Sequence, residues 1–121
     1  MHSSLPQIEQ IFAHMRDEAG WDVAGPLLWG FFFTAADPAK LSAAAERLTA
    51  TGYRKVDLYA MEPDDESEPS RYFLHVERVE RLTPATLHER NRRLNAFAAE
   101  LGLESYDGWD VGAAPGASVR R

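Results

Sequence analysis

The sequence predicts a single α+β domain, and three observations support this prediction. A short aromatic run at residues 27–34 is typical of a strand that is apolar on both faces. Segments with helical and strand periodicity follow in the order helix, then β-α-β-β-α-β. The second and third strands are joined by a connection short enough for an antiparallel hairpin. This order is typical of a ferredoxin-like sandwich, a four-stranded antiparallel sheet with two helices on one face, here with an extra N-terminal helix.

Composition narrows the class of protein. The chain has 121 residues, enough for one domain with its own core, and it contains no cysteine, which excludes disulfides, thiolate zinc sites and a cysteine nucleophile. No apolar stretch approaches the ~20 residues of a membrane span, and no signal peptide is evident. We therefore expect a cytoplasmic protein with no membrane contact. The net charge of -6 disfavours direct binding of nucleic acid.

An amphipathic helix is predicted at residues 3–19. Ser4 is a suitable N-cap, and Gly20 is suited to end the helix. Its apolar stripe consists of Leu5, Ile8, Ile11, Phe12 and Met15. This helix precedes the β-α-β-β-α-β unit, which is predicted at residues 27–112. It is a candidate to cover the second face of the sheet, the face that the other two helices leave uncovered.

The aromatic run is predicted to be a central strand. Alternation places Trp29, Phe31 and Phe33 on one face and Leu28, Gly30 and Phe32 on the other. Asp37 and Pro38 then begin a helix that ends before Gly52. Both faces of the strand need cover. The two helices of the predicted fold cover only one face, so the second face is the one whose cover must be explained.

The second strand is predicted at residues 53–61 and alternates. Val56, Leu58 and Ala60 are expected on the buried face, and Tyr53, Lys55, Asp57 and Tyr59 on the other. The third strand, residues 72–82, places Phe73, His75 and Glu77 on the second face of the sheet.

The last helix is predicted to begin at Thr83 and Pro84 and to end at Gly102. Its apolar stripe contains one polar residue, Asn91. A short strand follows at residues 105–112, and the tail at residues 113–121 is expected to fray.

The connection between the second and third strands is the most acidic part of the chain. It contains Asp64, Asp65, Glu66 and Glu68 between two prolines. It lacks the ligand spacing of an EF-hand loop, so we predict no calcium site there. The charge suits electrostatic contact with a basic protein partner, and a solvated hairpin is the simpler alternative.

The second face of the sheet offers a candidate site made of Asp57, Tyr59, His75 and Glu77. This site could hold a small ligand or a metal. Alternatively, His75 and Glu77 could simply form a polar pair on a partly solvent-exposed face. We predict no metal, no cofactor and no catalytic residue, because the spacing of residues along the sequence does not bring together a nucleophile, a base and an orienting group.

Three phenylalanines leave further alternatives open. Phe31, Phe33 and Phe73 could stack on bases, pack under the N-terminal helix, or form a homodimer interface. The third strand lacks the glycine-aromatic signature of an RNA-recognition fold, which argues against the first alternative.

The most specific local motif is Tyr106-Asp107-Gly108-Trp109. Its plain interpretation is an Asp-Gly turn beside a core tryptophan. The sharper one is that Asp107 fixes the local backbone while Trp109 anchors a partner.

This motif, preceded by a helix that ends Ala-Glu-Leu-Gly, resembles the end of the RraB family, regulators of ribonuclease E activity, whose chains typically close with a "YDGWG"-like strand. The aromatic first strand and the order of elements agree over residues 27–112. The chain departs from the pattern at Asp110, where the family often has glycine or another residue.

The resemblance implies a non-catalytic cytoplasmic protein that binds a protein partner. Characterised members bind the arginine-rich, non-catalytic scaffold portion of ribonuclease E, which suits an acidic binder. The resemblance therefore implies an inhibitor or modulator of ribonuclease E-type RNA degradation. Asp64, Asp65, Glu66, Glu68 and Trp109 are the residues expected to contact the partner.

Overall fold

The computed structural model describes residues 4–61 and 71–113. Its elements are α1 (Leu5–Asp17), β1 (Leu27–Ala35), α2 (Pro38–Thr49), β2 (Arg54–Ala60), β3 (Tyr72–Glu80), α3 (Pro84–Glu100) and β4 (Ser105–Ala113). Every predicted helix and strand is present, with ends that differ from the predictions by one or two residues at most positions.

The strands form one sheet in the order β2-β3-β1-β4, and all neighbouring pairs are antiparallel. β1 and β3 are therefore the central strands, and β2 and β4 are the edges. The predicted α+β class is confirmed, and the order fits a ferredoxin-like sandwich with an N-terminal helix.

Side-chain caps fix where each helix begins. The Ser4 hydroxyl accepts a hydrogen bond from a backbone N–H of the first turn of α1, completing a capping box. The Asp37 carboxylate likewise accepts a hydrogen bond from a backbone N–H of α2, and Thr83 forms a capping box at α3; Pro38 and Pro84 are the first helical residues. Each cap satisfies a backbone donor that the helix leaves free, so the predicted helix starts are confirmed.

The N-terminal helix lies on the same side of the sheet as the other two helices. Phe12 of α1 stacks on Trp29 at 5.8 Å between ring centroids, and α1 also contacts α3. Trp29, Phe31 and Phe33 are 0% exposed on this side. The suggestion that α1 covers the second face is therefore wrong.

The burial of Phe31 and Phe33 also corrects two alternatives. Neither side chain can stack on a base or contact a second copy, because both lie in the core under the helices. Phe73, the third of these phenylalanines, lies half-buried on the second face. A different phenylalanine, Phe32, lies beside it there, at 6.5 Å between ring centroids.

β2 does not follow the predicted alternation. Its register with β3 shifts between Lys55 and Asp57, which leaves Val56 as an extra residue that is 40% exposed. Leu58 alone of the predicted inward set packs against the core, whereas Tyr53 is buried. A bulge changes which face the following residues point to, so a strict period of two fails here.

The polar residue on the α3 stripe has a buried partner. Asn91 is 2% exposed, and its Oδ1 accepts a hydrogen bond of 2.6 Å from the Tyr106 hydroxyl. Burial raises the pKa of Tyr106 well above the ordinary tyrosine value. Burial likewise raises the pKa of Tyr53, whose hydroxyl accepts a hydrogen bond from Arg90 at 2.9 Å.

These two tyrosines predict a loss of stability at alkaline pH. Their pKa values are raised on folding, so their contribution is fully present below about pH 10, the ordinary tyrosine pKa, and is lost as pH rises further. Each tyrosine steepens the decline of the free energy of unfolding by up to about 1.4 kcal/mol per pH unit. Urea unfolding between pH 8 and 11 measures this slope. Tyr106→Phe should flatten it, and an unchanged slope in that variant would contradict the assignment.

Candidate functional site

No described helix covers the second face of the sheet, which we call the open face. All four strands contribute to it. It includes Leu28, Gly30 and Phe32 of β1, Arg54, Asp57 and Tyr59 of β2, Phe73, His75, Glu77 and Val79 of β3, and Gly108, Asp110 and Gly112 of β4. Four of these residues, Asp57, Tyr59, His75 and Glu77, are the predicted open-face set, and the structure does bring them onto one surface.

Four rings form a continuous row across the open face, which we call the ring ladder. Tyr59 meets Phe73 edge-on at 5.6 Å, and Phe73 lies 6.5 Å from Phe32. Phe32 stacks on His75 at 4.3 Å with an angle of 17° between the rings. Tyr59 is 40% exposed and the other three side chains are half-buried. The ladder therefore presents ring surface to solvent and supports itself by ring contacts.

Carboxylates lie beside the ladder. Glu77 is ion-paired with Arg54 of β2. Asp57 accepts a hydrogen bond of 2.9 Å from the backbone N–H of Leu58, and Asp110 is exposed. Within residues 4–61 and 71–113, neither aspartate has a cationic side chain within ion-pair distance. These two carboxylates are therefore available to a positively charged partner.

Gly30 lets the side chains of Asp110 and His75 approach the sheet closely. A Cβ atom at position 30 would lie 2.3 Å from Asp110 Oδ1 and 2.9 Å from His75 Nε2. The register places Gly30 directly opposite Asp110 on β4 and opposite Glu77 on β3. The missing side chain at position 30 thus leaves room for the Asp110 carboxylate and the His75 imidazole to lie over the backbone of β1.

Asp110 was not among the predicted site residues. In the sequence it is only a departure from a family pattern that often has glycine or another residue there. The sequence carries no local signal for this position, because the pairing of Gly30 with Asp110 depends on the register between β1 and β4.

Comparison with known families identifies the domain. The family model described as "Regulator of ribonuclease activity B" matches residues 6–111. The chain belongs to the RraB family. The match runs from α1 almost to the end of β4 and includes the rings and carboxylates of the open face. No curated protein matches the chain.

The motif that suggested RraB lies inside β4 and is not a turn. The register between β1 and β4 shifts at Asp107, which is exposed, and Gly108 has a φ of +118°. This is a β-bulge, so the predicted Asp-Gly turn is wrong. Tyr106 is buried, and Trp109 packs half-buried against Trp29 at 5.8 Å on the helix side.

Of the predicted partner-binding residues of this RraB domain, only Trp109 is among the described residues. Trp109 lies on the face of the sheet opposite the open face, so its contact with a partner stays a prediction. The four acidic residues of the loop, Asp64, Asp65, Glu66 and Glu68, lie outside the described residues. The ends of that loop are fixed beside the ring ladder, because the Met61 N–H donates to the Arg71 carbonyl at 2.8 Å.

Two further findings concern metal and membrane. Over the described ranges of this RraB chain, no group of three or more His, Asp or Glu residues is placed to hold a metal. The described helices include none that is long and apolar enough to cross a membrane. The described part of the open face thus offers rings and carboxylates for contact, and gathers no set of metal ligands.

Proposed function

We propose that this chain is a cytoplasmic regulator of a ribonuclease E-type enzyme and acts by binding a basic segment of that enzyme on the open face. One observation carries the proposal. The ring ladder lies next to Asp57 and Asp110, two carboxylates without a cationic neighbour in the described structure. Membership of a family of ribonuclease regulators supports the identity of the partner.

Rings and carboxylates together favour arginine. A guanidinium group stacks on an aromatic face and also donates two parallel hydrogen bonds to a carboxylate. Phe32 and His75 supply stacked rings next to Asp110, and Tyr59 and Phe73 supply rings next to Asp57. An arginine-rich segment could therefore lie along the ladder with its charges over the two aspartates.

The acidic loop adds to this attraction. The first of its acidic residues, Asp64, comes four positions after Ala60, where β2 ends, and Asp65, Glu66 and Glu68 follow it. With a net charge of -6, the chain would steer a basic partner before contact. Binding should weaken as ionic strength rises through ~0.15 M, where the Debye length is ~8 Å.

The proposal assigns no reaction to the chain. His75 is stacked on Phe32, and Glu77 is held by Arg54, so the two groups that could act as acid or base are engaged in packing and pairing. A regulator needs a binding surface, and these contacts make that surface rigid.

Charge reversal on the open face tests the proposal. Asp110→Lys should weaken binding to the full-length ribonuclease E-type enzyme of the same host by about 10–100-fold, because a cation would face the basic segment. Calorimetry or surface-based binding at two salt concentrations measures this.

Glu100→Lys is the matched control, with the same change of charge at the exposed end of α3. It should change the affinity by no more than about threefold, and Phe73→Ala should reduce it at least about tenfold. Equal affinities for wild type, Asp110→Lys and Phe73→Ala would exclude the open face as the binding site.

A homodimer through the open face is the second candidate. Phe32, Phe73 and Val79, which is 48% exposed, provide apolar surface for it in place of the buried Phe31 and Phe33. A two-fold contact would bring the unpaired aspartates of both copies into one interface, which costs free energy. Mass measurement at micromolar concentration distinguishes the two, because a dimer that Phe73→Ala dissociates would favour the second candidate.

A further inference from the structure

A groove of about 400 Å³ lies on the helix side of the sheet, between α2 and α3. Four arginines line it, namely Arg47, Arg78, Arg90 and Arg93, and no acidic residue does. We call it the arginine groove. In a chain with a net charge of -6, four guanidinium groups around one groove are a strong local reversal of sign.

Aromatic rings hold three of the four guanidinium groups in place. Arg47 lies over Phe97 at 5.7 Å from the ring centroid. Arg78 and Arg90 lie over Tyr53 at 5.4 Å and 5.7 Å. Side chains already held in this way lose less conformational entropy when they bind a ligand.

The nearby carboxylates do not neutralise the groove. Glu80 binds Arg90 through two hydrogen bonds of 2.8 Å and lies 4.0 Å from Arg78. Arg93 is exposed and 3.4 Å from Glu89. Within the described parts of the chain, Arg47 has no carboxylate within 4.0 Å. Four arginine cations thus have only two neighbouring carboxylates, Glu80 and Glu89. A negatively charged ligand would neutralise the remaining positive charge.

We propose that the arginine groove binds a phosphate monoester of nucleotide size. A single guanidinium satisfies both oxygens of a carboxylate, whereas a phosphate offers at least three oxygens and suits several guanidinium groups at once. The groove volume lies in the range of small-molecule sites, and the Phe97 ring gives the apolar part of the ligand a surface. The site is on the opposite side of the sheet from the open face, so it is independent of the partner-binding proposal.

Adenosine monophosphate and inorganic phosphate are the first probes, titrated into the full chain by calorimetry at low salt. The test variants are Arg47→Gln and Arg78→Gln, which leave the pair between Arg90 and Glu80 intact. Arg92→Gln is the matched control, because its side chain is 70% exposed and bonds Glu89 outside the groove. Thermal unfolding of each variant confirms that it is folded.

The expected result is binding of both probes by wild type and Arg92→Gln, weakened at least about tenfold by each groove variant. Three results would overturn the proposal. The first is no binding of either probe at millimolar concentration, and the second is equal affinity in all variants. The third is tighter binding of a single-stranded RNA lacking a terminal phosphate than of adenosine monophosphate, which would assign the groove to a phosphodiester chain.

Discussion

Replacing Trp29 with alanine should lower the free energy of unfolding by about 3–5 kcal/mol, the typical cost of removing a large buried aromatic side chain. Trp29 is 0% exposed, stacks on Phe12 and contacts Trp109 at 5.8 Å. Its indole N–H also donates a hydrogen bond of 3.0 Å to the carbonyl of Glu80. One side chain therefore joins α1, β1, β3 and β4, and its loss would leave a domain of ordinary stability only marginally folded.

Chemical denaturation of Trp29→Ala beside Leu28→Ala measures this effect. Leu28 is the preceding residue of the same strand but lies half-buried on the open face, so its truncation should cost about 1 kcal/mol. If the two variants lost the same free energy, the placement of the core on the Trp29 side of the sheet would be wrong.

The second large effect is expected at Glu80. Its carboxylate makes two hydrogen bonds to Arg90, which also donates to the Tyr53 hydroxyl and lies over the Phe31 ring. The hydrogen bond to Glu80 raises the pKa of Arg90, so the guanidinium stays charged. Glu80→Ala would leave that charge largely buried without its partner, at a cost of about 2–3 kcal/mol after allowance for partial exposure.

Glu89→Ala is the matched control for Glu80. Glu89 also contacts two arginines, Arg92 and Arg93, but all three side chains are largely exposed. Its loss should change the free energy of unfolding by less than about 1 kcal/mol. Similar losses in the two variants, measured by urea unfolding at pH 7, would mean that the buried pair contributes no more than a surface pair.

The features that local chemistry fixes were predictable from the sequence. Caps followed by proline at Asp37 and Thr83 determine helix starts, and strict alternation around Trp29 determines the faces of β1. The order of elements and the hairpin connection then restrict the topology to a few arrangements. The predicted grouping of His75 and Glu77 on the second face followed from the same alternation.

The features that depend on contacts between distant segments were not predictable in the same way. An amphipathic helix can bury its stripe against either side of a sheet, so the position of α1 was decided by the fit of Phe12 on Trp29. A bulge adds one residue without a distinctive sequence signal, as at Val56 in β2. The proximity of Asp110 and His75 over Gly30 likewise depends on the register of three strands.

We propose that the open face binds a ribonuclease and thereby changes its activity. The most direct measurement is the initial rate of RNA cleavage by the full-length ribonuclease E-type enzyme of the same host, titrated with wild type or Asp110→Lys. We expect a saturable change in rate with wild type, and the same change should need at least about tenfold more Asp110→Lys. A rate unaffected by excess wild type, or a variant as effective as wild type, would contradict it.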